Sequence, residues 1–172
     1  GESNLDPRGR FPILVKFLEA EDSLSLQVHP PDGSLSPNGV GKDEAWGFLE
    51  VSPDASVVCG LEEDTEFEDF RAACLEVPIK REILQSMLRK VAVKAGDLLP
   101  VQSGTVHAVS PGVVLCEFQQ TNDVTFRIYD WGASDLDGSP RETHIEEALA
   151  AMDPKLRPTV RPDFPSPHFS LT

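Results

Sequence analysis

The sequence lacks the features of several protein classes. Its three cysteines, Cys59, Cys74 and Cys116, are scattered and form no CxxC pair, so we expect no disulfide framework. Free thiols of this kind are typical of a reducing cytosol, and a cytoplasmic location is predicted. No apolar run approaches the roughly 20 residues that a membrane helix needs. Neither a P-loop nor a GxGxxG motif is present, so no nucleotide site is expected.

Basic residues are also scarce. The 172 residues include 15 Lys and Arg against 29 Asp and Glu, which gives a net charge of −14. This balance argues against a protein that binds nucleic acid, because such proteins need clustered Lys and Arg to contact phosphates. Hydrophobic residues make up 40%, enough for a buried core, and the length fits one domain with or without an extension.

Short apolar or alternating segments separated by glycine and proline predict many β-strands. Such strands at close spacing, with few helices, favour a small antiparallel barrel or sandwich. The predicted strands are FPILVKFLEA, LSLQVHP, AWGFLEV, ASVVCGL, RKVAVKAG, DLLPV, HAVS, VVLCEFQQ and VTFRIYD.

Helical spacing occurs in the middle of the chain and again near its end. Thr65 with Glu68, and Thr143 with Glu146, match capping boxes that open helices. The second of these helices is HIEEALAAM. A helical insertion is predicted over residues 62–90, with one apolar face on each of two helices: Phe67, Phe70 and Cys74, then Ile83, Leu84, Met87 and Leu88.

The expected organisation is one barrel over residues 1–152, which includes the insertion, and a proline-rich extended tail over residues 153–172. The chain begins without Met, and we expect a processed or trimmed form.

A polar pair on one predicted strand is the first sign of a metal site. In SLQVH, Gln27 and His29 lie two residues apart and project from the same strand face, opposite Leu26 and Val28. The more common explanation of such a pair, taken alone, is a polar stripe that faces solvent.

Two further residues change that balance. Glu44 lies directly before an apolar strand in GKDEAW, and His107 follows a glycine turn in SGTVHAV. Together with Gln27 and His29 they offer one amide oxygen, one carboxylate and two imidazoles. This mixed set suits a borderline divalent ion such as Zn²⁺, with a position left open for water or substrate.

Six segments in order resemble class I mannose-6-phosphate isomerase, most closely its short bacterial form. They are FPILVKFLEA, LSLQVHP, GKDEAW, GTVHAV, EFQQTNDVTFRIYDWG and DGSPRETHIEEAL, and the match covers residues 11–149. The resemblance implies a cupin-type antiparallel β-barrel, or jelly roll, with one zinc ion on Gln27, His29, Glu44 and His107. Cupins commonly have proline where this chain has Gln102, and the chain is short for the family.

The resemblance further implies interconversion of mannose 6-phosphate and fructose 6-phosphate, by a proton transfer between C2 and C1 through an enediol or enediolate. Such chemistry needs a carboxylate, histidine or lysine that moves the proton. The candidates are Lys16, Lys42, Glu117, Asp123 and Arg127.

Each of these candidates has a structural alternative. Lys42 is equally well explained as a solvated loop lysine, and Lys16 as a surface lysine whose stem covers apolar groups. Glu117 is either exposed at a sheet edge or buried with a partner. Arg127 faces either a substrate anion or one of the many acidic side chains, and Asp123 either orients Arg127 or shares the proton work.

Three functions therefore remain in competition. The leading one is a zinc-dependent isomerase acting on a hexose 6-phosphate, with no nucleic-acid or membrane partner. A non-catalytic metal-cupin module that binds a sugar phosphate, or a truncated and inactive isomerase, is the alternative. A different metal-cupin enzyme such as an iron oxygenase is the third, and Gln27 together with GKDEAW argues against it.

Overall fold

The computed structural model describes residue 9, residues 11–134 and residues 138–162. In these residues the chain forms three helices, α1 (Phe67–Leu75), α2 (Arg81–Ser86) and α3 (Ile145–Ala151). Its strands are β1 (Ile13–Ala20), β2 (Leu26–Val28), β3 (Glu44–Val51), β4 (Ser56–Leu61), β5 (Leu88–Ala92), β6 (Leu98–Val101), β7 (His107–Ala108), β8 (Val113–Gln120) and β9 (Phe126–Tyr129).

The strands form two antiparallel sheets. The four-stranded sheet has the order β1-β8-β3-β6, and the five-stranded sheet has the order β5-β4-β7-β2-β9. One apolar core lies between the sheets and contains side chains of both, such as Phe48 and Leu115 from the first and Val57 from the second. A second core contains Phe70 of α1, Leu84 of α2 and residues of the five-stranded sheet. The helices therefore cover the far side of that sheet.

The prediction of a mainly β, antiparallel fold with a small helical insertion is confirmed, because α1 and α2 lie between β4 and β5. Leu88, which we predicted on the second helix, is instead the first residue of β5. It is buried and pairs with Leu61 of β4, so the contact between strands overrides the helical spacing.

Both predicted capping boxes are wrong. Helix α1 has Glu66 at its N-cap and α3 has His144, and neither helix has a side-chain capping hydrogen bond. The Thr65 hydroxyl donates instead to the Met87 carbonyl. The His144 N–H donates to the Arg127 carbonyl at 2.7 Å, so contact with β9 determines where α3 begins.

The described part of the predicted tail, residues 153–162, lies against the barrel. The Asp153 N–H donates to the Gly104 carbonyl, and Arg161 forms a β-bridge with Leu98 on β6. Residues 163–172 lie outside the described residues. All three cysteines are free and buried. Within the described ranges, no helix has the length and apolar character to cross a membrane.

Candidate metal centre and active site

Three buried residues from separate segments meet between the two sheets. They are His29, which follows β2, Glu44, the first residue of β3, and His107, the first residue of β7. Each offers one ligand atom, and these atoms all lie within 4.8 Å of one another. The cluster is solvent-excluded, since the histidines are 1% exposed and Glu44 is 6% exposed.

The backbone fixes the spacing of the two histidines. His107 lies beside Gln27 in the pairing of β7 with β2. One residue beyond β2, the His29 carbonyl accepts a hydrogen bond from the Gly104 N–H at 2.8 Å. Gly104 has a φ of +84°, and a β-carbon there would lie 3.2 Å from the Ala151 carbonyl oxygen, so this position favours glycine. The turn forms without the usual proline, because Thr105 N–H donates to the Gln102 carbonyl.

Burial keeps both imidazoles neutral. Burial, together with the neighbouring His29, lowers the pKa of His107 to about 4. The pKa of His29 is also lowered, chiefly by burial. His107 Nδ1 lies 2.9 Å from the Thr105 carbonyl oxygen and so carries the proton, which leaves the Nε2 lone pair for the cluster. A hydrogen bond of this kind on the other ring nitrogen is typical of histidines that bind metals.

Glu44 supplies the negative charge. Burial alone raises the pKa of its carboxyl, but the hydrogen bond with His29 and the nearby positive charge, including that of Lys42, lower the pKa overall. Oε2 accepts a hydrogen bond from Trp46 Nε1 at 3.2 Å. Oε1 lies 3.0 Å from Lys42 Nζ and 3.2 Å from His29 Nε2, so it faces the centre of the cluster. A carboxylate oxygen directed at two imidazoles is a donor that a divalent cation could use.

Gln27 completes the donor set. Its Nε2 lies 3.2 Å from His107 Nε2, and its Oε1 accepts a hydrogen bond from the Ser25 hydroxyl at 3.1 Å. A half-turn of the amide exchanges the two ends and directs the oxygen at the cluster. Two neutral imidazoles, one carboxylate and one amide then match the predicted ligand set. These residues fit a single Zn²⁺ ion.

Lys42 lies next to this cluster, and Glu117 lies on the same inner face of the barrel. Lys42 is buried, and its Nζ lies 3.2 Å from His29 Nε2, so it is not a solvated loop lysine. Glu117 is buried on β8, opposite Trp46 of β3. Its partner is Lys16, whose Nζ donates at 3.0 Å. Lys16 is half exposed and therefore joins the buried carboxylate to the barrel surface.

Arg127 and Asp123 occupy different surroundings. Arg127 pairs with Gln27 across β2 and β9, between the buried Phe126 and Ile128. Its Nη1 donates to the Glu142 carbonyl at 2.7 Å, while its buried Nε has no hydrogen-bond partner. Asp123 is exposed between β8 and β9.

Among the described residues, the carboxylate nearest to Arg127 is not Asp123. It is Asp130, at 4.0 Å from Arg127 Nε. Arg141 holds both oxygens of Asp130 through two hydrogen bonds, so this carboxylate is shared between two guanidinium groups.

The chain is similar to known isomerases. It is 38% identical to mannose-6-phosphate isomerase ManA of Bacillus subtilis (strain 168), over 84% of this chain and 45% of that protein. It is also 38% identical to the mannose-6-phosphate isomerase of Streptococcus mutans, over 83% of this chain and 44% of the relative. The crystal structure of the mannose 6-phosphate isomerase from Bacillus subtilis superimposes with a TM-score of 0.77 at 31% identity, over 87% of this chain and 46% of that one.

Over most of its length the chain is therefore similar in sequence and in fold to mannose-6-phosphate isomerases. It spans just under half the length of the curated relatives that it matches. No family model matches it. A mannosephosphate isomerase structure from Archaeoglobus fulgidus, described as putative, has a TM-score of 0.64 at 19% identity and supports the cupin-type fold alone.

The sequence did not predict two buried polar residues near the candidate metal centre. Gln119 pairs with Glu44 across β8 and β3, and its Oε1 accepts a hydrogen bond from Lys16. Asn122 donates to the Val40 carbonyl and thereby holds the preceding loop. The alternation that singled out Glu117 in VVLCEFQQ also places Gln119 on the inner face, so this residue was predictable. No pattern in the sequence identifies Asn122.

Proposed function

We propose that this chain carries the zinc site and the proton-transfer residues of an isomerase that interconverts mannose 6-phosphate and fructose 6-phosphate. The observation that carries the proposal is the convergence of His29, Glu44 and His107, with Lys42 in contact with two of them. The relatives named as mannose-6-phosphate isomerases supply the substrate class.

One zinc ion would be held by Gln27, His29, Glu44 and His107. When bound, it supplies a Lewis acid that stabilises negative charge on a sugar oxygen. The proposed ligands are two neutral imidazoles, one amide and one carboxylate, so together they carry a single negative charge. A bound divalent zinc ion would therefore keep a net positive charge. Exclusion of water from the site strengthens every charge interaction within it.

Proton transfer between C2 and C1 requires a base and a donor on the inner face. We assign the base to Glu117, because it is a buried carboxylate anchored at one oxygen by Lys16. We assign Lys42 as the donor that stabilises the enediolate oxygen, because its ammonium group lies within 3.2 Å of both Glu44 and His29. A positioned acid or base contributes about 10²- to 10⁴-fold to such a rate.

The phosphorylated substrate requires local positive charge in spite of the net charge of −14. Lys16, Lys42 and Arg127 supply it. The buried Nε of Arg127 has no hydrogen-bond partner, which leaves a donor for a substrate oxyanion. Each of these three residues lies near one carboxylate, Glu117, Glu44 or Asp130, so a bound zinc ion would supply the excess positive charge of the site. Acidic residues farther away than a Debye length of about 8 Å are largely screened.

A coupled assay for fructose 6-phosphate formation tests the proposal. We expect the zinc-loaded protein to turn over mannose 6-phosphate, chelation to abolish this activity and added zinc to restore it. Glu117→Gln should reduce kcat by at least about 100-fold. Glu50→Gln, at an exposed position on β3, is the matched control and should leave kcat unchanged. Absence of turnover in folded, zinc-loaded protein would contradict the proposal.

The alternative is a metal-binding module without catalysis. This form would bind one zinc ion and mannose 6-phosphate but would not convert the sugar. Calorimetric binding of mannose 6-phosphate by the zinc-loaded protein, measured beside the coupled assay, separates the two functions. Lys42→Met separates catalysis from zinc binding further, because this variant should lose turnover of mannose 6-phosphate and still bind zinc.

A further inference from the structure

Lys42 lies near the end of the loop that joins β2 to β3. Residues 29–43, all within the described part of the chain, make this connection without a helix or strand. The Lys42 ammonium group nevertheless lies beside Glu44 and His29, and the residue is 5% exposed. A lysine side chain has many rotamers, so the backbone that carries it must be fixed if the ammonium group is to keep this place.

One buried side chain holds the end of this loop. Asn122, which is 3% exposed between β8 and β9, donates from its Nδ2 to the Val40 carbonyl. The Gly41 carbonyl oxygen and the Ser36 hydroxyl oxygen each lie 3.4 Å from the same nitrogen. The amide oxygen accepts a hydrogen bond from Asn38 Nδ2 at 2.9 Å. Asn122 therefore contacts the loop at four residues, the last of which directly precedes the lysine.

The loop also has little freedom of its own at this point. The Gly41 N–H donates to Asp32 Oδ1 at 2.6 Å, and the Lys42 N–H donates to the Pro30 carbonyl at 3.2 Å. A β-carbon at Gly41 would lie 2.6 Å from the Asp32 backbone nitrogen, so the two ends of the loop are in close contact. Together with the bond to the Val40 carbonyl, these contacts fix the backbone over three successive residues.

Asn122 is in turn fixed from the side of the candidate active site. Gln119 Nε2 donates to the Asn122 backbone carbonyl at 2.7 Å. Gln119 Oε1 accepts a hydrogen bond from Lys16 Nζ, which also donates to Glu117. A path of hydrogen-bonded residues therefore runs from Lys16 through two buried amides to the backbone directly before Lys42. A buried network of this kind is rigid when its polar groups have partners.

We propose that Asn122 is a positioning residue that fixes the loop backbone and thereby keeps the Lys42 ammonium group beside Glu44 and His29. The inference rests on the proposed function of Lys42 as the donor to the enediolate oxygen. Loss of the Asn122 donor should lower kcat by displacing this ammonium group. If Asn122 merely stabilised the fold, its loss would lower the free energy of unfolding and leave kcat of the folded protein unchanged.

Asn122→Asp tests the proposal with a nearly isosteric change. The carboxylate keeps the oxygen that accepts from Asn38 and the Val124 N–H, but it loses the Nδ2 donor and places negative charge against the Val40 carbonyl. We expect kcat for mannose 6-phosphate to fall by about 100-fold, the effect of displacing a reacting group by about 1 Å. KM and zinc affinity should stay unchanged. Gln85→Glu, the same amide-to-acid change on α2, is the matched control and should leave kcat unchanged.

Acetylation of lysines in the zinc-loaded chain, followed by mass spectrometry, tests the position of Lys42 without turnover. In the wild-type chain Lys42 should react far more slowly than Lys80, whose side chain is 57% exposed. Asn122→Asp should raise the rate at Lys42 by at least about 10-fold, because a released loop opens more often, and leave Lys80 unchanged. Ser36→Ala removes only the hydroxyl that donates to the Val40 carbonyl at 2.6 Å. It should raise the rate at Lys42 by about fivefold, the opening expected for loss of one hydrogen bond.

Circular dichroism confirms that each variant is folded, and Ser36→Ala decides the question if Asn122→Asp does not fold. A wild-type Lys42 that reacts as fast as Lys80, or an unchanged Lys42 rate in the folded variants, would overturn the positioning role. A parallel rise in KM or loss of zinc affinity would overturn it too, because general damage to the site would then explain the lower kcat. Absence of turnover in the wild-type chain contradicts the proposed function instead, and the acetylation rates still decide the role of Asn122.

Discussion

The space between the two sheets is apolar at one end and polar at the other. At the apolar end Phe48 of β3 lies opposite Leu115 of β8, and both are buried. Two residues along the same strands Trp46 lies opposite Glu117, and after two more Glu44 lies opposite Gln119. A distance of about 13 Å along the strands therefore separates the core from the candidate active site.

The contrast between the apolar and the polar end shows how the fold tolerates buried charge. Burying polar groups costs free energy, and the cost is offset by apolar packing elsewhere in the same layer. Trp46 forms the boundary, because its ring belongs to the apolar core while its Nε1 donates to Glu44. Changes at the polar end should alter metal binding and chemistry, whereas changes at the apolar end should alter stability.

The largest effect is expected from His107→Ala. Loss of a ligand should reduce zinc affinity by more than about 100-fold, since loss of a residue that merely supports a ligand already costs about 10- to 100-fold. His144→Ala, at the N-cap of α3 outside the cluster, is the matched control. Zinc titration against a competing chelator measures both variants. Full zinc occupancy in His107→Ala would refute the ligand assignment.

Leu115→Ala tests the apolar end. Removal of this fully buried side chain should lower the free energy of unfolding by about 2–5 kcal/mol. Leu49→Ala removes the same atoms from a side chain that is 45% exposed, and should cost far less. Urea unfolding gives the stabilities. The folded Leu115→Ala protein should retain its zinc affinity, and a parallel loss of affinity would show that the two ends are not separate.

The stability of the metal-free protein should depend on pH through His107. Burial lowers its pKa in the folded state to about 4, from an ordinary value of 6.5 in the unfolded chain. The unfolded chain therefore binds a proton first as pH falls, so this contribution is complete above about 6.5 and is lost progressively towards 4. The slope should approach about 1.4 kcal/mol per pH unit. Urea unfolding in chelator measures it, and a flat profile would contradict a buried neutral His107.

The smallest effect is expected from Trp46→Phe. This change removes the Nε1 donor to Glu44 Oε2 and keeps most of the ring volume. Zinc affinity should fall by about 10-fold, because the carboxylate loses the contact that orients it. Trp131→Phe removes an indole donor to the Leu24 carbonyl and is the matched control. Equal zinc affinities of the two variants would contradict the boundary role of Trp46.

Much of the fold followed from the sequence, because strand alternation and glycine turns are local signals. The same alternation placed Gln27 with His29 on one face, and the structure brings His29 together with Glu44 and His107. The capping boxes and Leu88 were mispredicted where contacts with residues distant in sequence determine the element ends. Such contacts, like the sharing of Asp130 between Arg127 and Arg141, depend on tertiary packing and leave no local pattern.

The central claim is that the cluster of Gln27, His29, Glu44 and His107 holds one zinc ion. Elemental analysis of the purified protein after dialysis tests it most directly. We predict one zinc per chain, removed by strong chelators and restored by added zinc. Iron without zinc, or no bound metal after zinc is supplied, would contradict the account.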